Sequence, residues 1–374
     1  MLKERSYKFF NVPKKHEISD YKEAISYIIK KYSKINGLLS MYNWGDPSVP
    51  GISDIDIVFV LENNKNNALP FLRRSFYFLN AETRYLVRHP FVFIDENSFR
   101  NIRHIYPNAN FKLLHGRNIR INNLSAEDSY YSCIALLNDI IIRHYPHDFL
   151  EQFINKKINV RDTLLRLNSL KYSIRVLERL TKEKYGNLNH KLALIGELRK
   201  NWFNAKDFDL LVLLNRDAVK ITMEIIDKFK AFLTDNSLIK INSGSYLRYN
   251  GIKNKSQFVR DWDKKTVLRE MSKLVKENRK FYSILPLELS AQLIEYSKSN
   301  GLISSYIREK ISNNINYQLK YKKIIGHRIN ILNKQAELAS KLKHSDFVAF
   351  FDFGYCNESG INNWILRHLR RLIQ

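Results

Sequence analysis

Residues 37–62 (GLLSMYNWGDPSVPGISDIDIVFVLE) constrain the fold of this chain more than any other stretch. Residues 37–43 read as a short, mostly buried strand. Gly45, Pro47, Pro50 and Gly51 then crowd one segment, a composition that favours a turn or compact loop. Residues 52–61, rich in Ile, Val and Phe, follow as a second strand. Side chains alternate across a strand, so Asp54 and Asp56 share one face, with Cα atoms about 7 Å apart. Ile55, Ile57 and Phe59 take the opposite, buried face.

Two carboxylates so placed repel each other and lose solvation, which drives each toward its protonated form. A divalent cation relieves both penalties, because Mg²⁺ takes one or two carboxylates and completes its shell with water and substrate phosphates. The bland alternative is a solvated strand start beside a turn. The glycine-bearing turn ahead of the triplet and the β-run behind it favour the cation.

The order strand, glycine turn, then Asp-x-Asp entering a second strand resembles the nucleotidyltransferase superfamily with a polymerase-beta-like core. That superfamily includes antibiotic nucleotidyltransferases, CCA-adding enzymes and poly(A) polymerases. In this resemblance Gly45 is the motif glycine and Asp54-Ile55-Asp56-Ile57 is the acidic half, while Asp46 stands where the pattern has Gly or Ser. The likeness covers residues 19–120 and leaves the rest of the chain unassigned. It implies a catalytic domain whose mixed sheet is flanked by helices. It also implies Mg²⁺, or Mn²⁺ in its place, on Asp54, Asp56 and Asp95, and a nucleoside triphosphate such as ATP at Gly45, Asp46, Ser48 and Ser53. The implied reaction is attack of an acceptor hydroxyl on the α-phosphorus, with release of pyrophosphate. Arg73, Arg74 and Lys112 are candidates to meet the triphosphate charge.

Asp95 follows the predicted strand over residues 91–94 and has two readings: a third carboxylate on a neighbouring strand, or the cap of a helix over residues 96–104. Glu96 is the fallback acid. Residues 111–117 (FKLLHGR) read as a further strand, resembling the sequence that closes the sheet in small members of the superfamily; His115 is read as structural.

Ahead of this hairpin, residues 18–35 read as an amphipathic helix capped by Ser19 or Asp20, with Ile25, Ile28, Ile29 and Tyr32 on one face. Residues 68–87 also read as a helix. Past residue 123 the pattern becomes helical, over residues 127–142, 159–182, 191–203 and 207–233. Leu164, Leu167, Leu170, Ile174, Leu177 and Leu180 make a bundle-type stripe. Arg143, His144 and His147 are read as structural. Residues 234–262 read as an inter-domain segment in which basic and aromatic residues alternate, either a base-stacking, phosphate-binding loop or an ordinary basic hairpin. Helices follow over residues 264–281, 286–299 and 304–343, the last broken at Gly326. Lys320, Lys322, Lys323, His327 and Arg328 form a basic patch, a solvated face by default and an anion site as the second reading. Residues 347–353 and 364–372 are a short aromatic element and a final basic helix.

The expected fold is thus α+β, with a nucleotidyltransferase-type domain (1–122), a helical bundle (123–235) and a basic, mainly helical domain (236–374). Sixty-two Lys and Arg against 37 Asp and Glu leave a net charge of +25. Of this, +8 falls on residues 1–120, −3 on 121–150 and +20 on 151–374. Such an excess suggests an anionic partner, with RNA or an acidic glycan as a large acceptor. The other class of function is a nucleic-acid-binding or scaffold module whose nucleotidyltransferase core has decayed. No run approaches the ~18 apolar residues of a membrane span. The charged start has no apolar signal core, and Cys133 and Cys356 have no metal-ligand spacing, so a cytoplasmic protein is expected.

Overall fold

The computed structural model describes residues 7–45, 47–63, 78–88, 91–144, 147–242, 244, 246–251, 255–277, 282–312 and 315–341. The fold is α+β. The chain begins with β1 (Lys8–Phe10), α1 (Ile18–Tyr32), β2 (Leu38–Trp44), β3 (Ile57–Leu61), α2 (Ala81–Val87), β4 (Val92–Asp95), α3 (Glu96–Arg100) and β5 (Phe111–Gly116). It continues with α4 (Ala126–His144), α5 (His147–Asn155), β6 (Lys157–Asn159), α6 (Val160–Thr181), α7 (Gly186–Ala205) and α8 (Phe208–Asp235). Next come β7 (Ile239–Ile241), β8 (Tyr246–Asn250), β9 (Lys255–Val259), α9 (Lys264–Lys276), β10 (Tyr282–Pro286) and α10 (Ser290–Lys298). The described chain closes with α11 (Leu302–Lys310), β11 (Ile311–Ser312), β12 (Tyr317–Leu319) and α12 (Lys322–Lys341). Among the described residues no helix is long and apolar enough to cross a membrane.

The described residues fall into two compact units. One takes those of 1–13, 126–300 and 304–327, and the other those of 14–125, 301–303 and 328–374. In the second unit four strands form a mixed sheet in the order β4-β3-β2-β5, with β2 antiparallel to β3 and β5, and β3 parallel to β4. Every residue of β3 is buried, because both faces of the sheet are covered. On one face Ile57, Phe59 and Leu61 meet Tyr21, Ala24, Ile28 and Tyr32 of α1, and Leu86 and Val87 of α2. Ile25 and Ile29, expected at the centre of this contact, are only partly buried on its flank. On the other face Tyr42 stacks on Phe99, with ring centroids 4.7 Å apart. The start of α1 also differs from expectation. Glu17 is the N-cap, and Asp20, three residues into the helix, accepts from the Glu17 backbone N–H at 2.9 Å in a capping box.

The other unit is built on the long buried helix α8. Asn159 caps α6 and Asp207 caps α8 through hydrogen bonds to the N–H groups of Asp162 and Leu210. Asp139 of α4, 5% exposed, accepts hydrogen bonds from Gln292 and Tyr296 of α10, so these buried polar groups find partners in one another. Within residues 239–259, β7, β8 and β9 are strands, and the antiparallel pairing of β8 with β9 matches the basic-hairpin reading of this segment. β8 and β9 form a hairpin within a sheet ordered β10-β9-β8-β11, and β7 pairs with β12. The single helix expected over residues 304–343 is instead α11, two short strands and α12, and Gly326 lies inside α12 without breaking it. Residues 347–353 and 364–372 lie outside the described residues, as does 68–77 of the helix expected over 68–87.

Glu178 ties α6 to α7. It accepts from the Tyr185 N–H at 3.0 Å, Asn189 Nδ2 at 2.7 Å and Lys184 Nζ at 3.2 Å. Burial pushes its carboxyl up, but these three donors outweigh burial and hold it below the ordinary value of 4.5. A depressed carboxylate stabilises the fold above its unfolded-state pKa and loses that contribution as pH falls through the folded value. Unfolding experiments between pH 7 and pH 3 are therefore expected to show wild type losing stability below about pH 4.5, more steeply than Glu178→Gln. At pH 7 the Gln variant is expected to be less stable by about 1.5–3 kcal/mol.

Candidate functional site

The site lies at the end of the mixed sheet where β2 ends and β3 begins. Gly45 leaves β2 at φ +88°, a backbone conformation that favours glycine, and among the described residues a Cβ there would meet no atom beyond its chain neighbours within 4 Å. Asn43, buried in β2, donates from Nδ2 to the Gly45 carbonyl at 2.6 Å and fixes the exit of the chain. Beyond it, residues 49–53 close on themselves. Ser53 N–H donates to the Val49 carbonyl at 2.8 Å, and Val49 N–H donates to Ser53 Oγ at 3.1 Å.

Two tyrosines hold this turn from below. Tyr21 of α1, 2% exposed, donates its hydroxyl to the Ser53 carbonyl at 2.5 Å and accepts from Gly51 N–H at 2.9 Å. Tyr85 of α2 donates to the Gly51 carbonyl at 3.0 Å. Ile55 N–H then donates to the Leu86 carbonyl at 2.9 Å, and the Asp56 carbonyl accepts from Trp44 N–H at 2.9 Å. The chain is therefore pinned on both sides while Asp54 and Asp56 pass through. Burial alternates along it: Ile55 and Ile57 are buried, whereas Asp54 and Asp56 are only partly so. Both carboxylates accordingly take the less buried side. β3 itself starts at Ile57 rather than at residue 52, because Ser53 is consumed in closing the turn. Arg88, at φ +63° just past α2, brings a guanidinium nitrogen to 3.7 Å from Asp54 and offsets its charge.

The remaining expected residues divide. Ser53 is a buried turn-former whose hydroxyl accepts from Val49, so its contribution is to the shape of the loop. Ser48 is exposed in the same loop, and Asp46 lies outside the described residues, as do Arg73 and Arg74. Lys112 is exposed on β5 in register with Asn43, which places it at the same end of the sheet as Gly45.

Asp95 is elsewhere. β4 runs parallel to β3 with Asp95 beside Leu61, five residues along from Asp56, or about 16 Å at strand rise. Its carboxylate caps α3 by accepting from Ser98 N–H at 3.0 Å. Of its two readings, the geometry matches the cap. Glu96 sits beside it, engaged by Arg100 at 2.7 Å and by Arg117. Among the described residues no three His, Cys, Asp or Glu side chains gather into a metal-binding group. The oxygens of Asp54 and Asp56 are hard donors on one side of a pinned segment, which suits Mg²⁺ completed by water and phosphate oxygens.

Sequence reasoning missed Arg88, Tyr21 and Tyr85. Tyr21 carried a signal, since it heads the stripe Tyr21, Ala24, Ile28 and Tyr32 on α1, where a buried hydroxyl needs a partner. Arg88 carried none.

Replacing Tyr21 with Phe removes the partner of both Gly51 N–H and the Ser53 carbonyl while leaving the ring packed. The expected cost is about 1–3 kcal/mol in thermal or urea unfolding.

No family model, curated protein or solved structure matches this chain.

Proposed function

We propose that the unit containing residues 14–125 is a divalent-cation-dependent nucleotidyltransferase, with a nucleoside triphosphate as donor and Asp54 and Asp56 as the cation ligands. One observation carries this reading: Asp54 and Asp56, two residues apart and both only partly buried between buried neighbours, lie on a segment pinned by Trp44, Tyr21 and Leu86, straight after a glycine turn. Like charges this close on a fixed turn are offset only in part by the Arg88–Asp54 pairing, and a divalent cation would relieve the rest.

In the reaction the acceptor hydroxyl oxygen forms a bond to the α-phosphorus as the bond to pyrophosphate breaks. The hydroxyl proton passes to solvent, since Asp95 is turned to capping α3 at the far end of the sheet. Asp54 and Asp56 would hold Mg²⁺, which would supply charge neutralisation at the phosphate oxygens. Gly45 and the exposed loop residue Ser48 leave room beside the carboxylates for the triphosphate. Arg88, beside Asp54, and Lys112, at the same end of the sheet, are the cations that would meet the triphosphate charge. The acceptor is read as large and anionic, from the charge excess of +25.

The test is transfer of label from each α-labelled nucleoside triphosphate to RNA or another polymer, with Mg²⁺, by wild type and by Asp54→Asn/Asp56→Asn. A second reading, a nucleic-acid-binding module with an inactive site, draws on the position of Asp95. It expects no transfer, and nucleic-acid affinity that ignores the two substitutions.

A further inference from the structure

The segment that alternates basic and aromatic residues is one face of a sheet. Along β8 burial alternates without exception: Leu247 and Tyr249 are fully buried, whereas Tyr246, Arg248 and Asn250 are exposed. On β9 Ser256 and Phe258 are buried, Lys255 is exposed, and Gln257 and Val259 are partly so. The register pairs Tyr246 with Val259, Arg248 with Gln257, and Asn250 with Lys255, so these six side chains share the outer face. Ser312 of β11, paired with Arg248, adds a hydroxyl-bearing exposed position at the next strand.

The composition of this face is specific. Among the described residues paired across β8 and β9 it holds an aromatic ring, a valine, two cations and two side-chain amides, and no carboxylate. Tyr246 is 40% exposed, so part of its ring is open to solvent on this face. The Arg248 guanidinium lies over that ring, 5.4 Å from its centroid. Tyr246, Arg248 and Asn250 step along β8 at intervals of about 7 Å, with Lys255 across from Asn250. Arg260, just past β9, is also exposed, and its Nε donates to the Gly244 carbonyl at 3.2 Å beside the start of β8.

We infer that this outer face binds a single-stranded polynucleotide. A base stacks on Tyr246, Arg248 and Lys255 meet backbone phosphates, and Asn250 and Gln257 offer amide groups to base edges. A duplex is disfavoured because its bases are already stacked and present no free face to the ring. A polyanion without bases would engage the two cations and leave the tyrosine unused. An acidic peptide would do the same. The inference rests on this sheet alone and not on Asp54 and Asp56.

The experiment is fluorescence anisotropy on the full chain with short labelled oligouridylate and oligothymidylate, competed with unlabelled duplex and with heparin. Tyr246→Ala is expected to weaken single-strand binding at least fivefold, the lower end of what one base–aromatic stack contributes. Tyr246→Phe is expected to retain it. Arg248→Gln and Lys255→Gln are each expected to weaken binding and to lower the salt slope by about one. Asp54→Asn/Asp56→Asn is expected to bind as wild type does, which separates this inference from the nucleotidyltransferase reading. Preference for the uridylate over the thymidylate would identify the natural strand as RNA. Melting curves establish that each variant is folded, and Tyr246, being exposed, should tolerate both changes. Heparin or duplex displacing as well as single strands, together with full affinity in Tyr246→Ala, would overturn the inference in favour of a generic basic surface. So would absence of single-strand binding by wild type at low salt.

Discussion

Asp54→Asn/Asp56→Asn is expected to abolish Mg²⁺-dependent nucleotidyl transfer while leaving the protein folded. Removing one preorganised group that stabilises transition-state charge typically costs about 10²–10³ in rate, and on the proposed function this variant would remove both ligands of the cation that holds the triphosphate. Loss of more than about 10³-fold, down to background label incorporation, is the expected result. Stability should move the other way. Two neighbouring carboxylates repel each other when no cation is bound, and asparagine keeps their shape without the charge. The melting temperature in chelator is therefore expected to hold or rise slightly. The Arg88 pairing limits that rise, since the change also removes the Asp54 partner of a guanidinium at 3.7 Å. That ion pair is partly exposed and contributes little by itself. Transfer unchanged in the variant would remove the carboxylates from the chemistry.

Gly116→Ala carries the largest expected structural effect. Gly116 ends β5 at φ +89°, and an added Cβ would stand 2.1 Å from the Leu39 carbonyl oxygen and 2.8 Å from Ser40 Cα. Both are backbone atoms of the segment that becomes β2, so no side chain can swing aside to make room. The left-handed conformation alone costs a non-glycine residue about 1–3 kcal/mol, and the clash adds to it by forcing β5 away from β2. A loss of at least 3 kcal/mol is a large fraction of ordinary domain stability, about 5–15 kcal/mol. Because β2 delivers the chain to Gly45, the displacement should also disturb the candidate site. Ser40 and Tyr42 hold the segment after β5, through the Arg117 carbonyl and the Ile119 N–H. These bonds have little tolerance for a shift. The check is differential scanning calorimetry on wild type and variant; a melting temperature within about a degree of wild type would contradict the geometry.

Much of the site's frame was legible because it follows from local rules. The 37–62 stretch announced two strands around a glycine turn, and they are present as β2 and β3. The alternation that placed Asp54 and Asp56 together survives, even though the regular strand starts only at Ile57. That start moved because Ser53 closes the turn on Val49, a hydrogen bond that hydropathy does not encode. Asp95 illustrates a different limit. Its sequence, a carboxylate between a strand and a helix, fits a catalytic acid and an N-cap equally well. Only the parallel register of β4 on β3 separates them, by placing Asp95 beside Leu61 and away from Asp56.

Farther along, residues 246–250 (YLRYN) do not alternate strictly between polar and apolar types, because Tyr246 and Leu247 are adjacent; the alternation appears only in their burial, once β8 pairs with β9. Ile311–Ser312 and Tyr317–Leu319 fall within a long helix expected from the sequence, yet each is a short strand. These strands exist because β8 and β7 offer unpaired edges, partners distant in sequence that no local window contains. Arg88 reaches Asp54 for a similar reason. The end of α2 is brought there by packing, and the sequence around it has no pattern to mark it.

The central claim is that Asp54 and Asp56 bind a divalent cation together with a nucleoside triphosphate. The most direct measurement is the melting temperature of wild type and Asp54→Asn/Asp56→Asn, with Mg²⁺ and each of the four nucleoside triphosphates in turn. A ligand at about a hundred times its dissociation constant adds roughly 2.7 kcal/mol to the native state, a readily visible shift. The account predicts a shift with at least one triphosphate that requires Mg²⁺ and vanishes in the variant. A shift of equal size in both proteins, or none in wild type with any of the four, would contradict it.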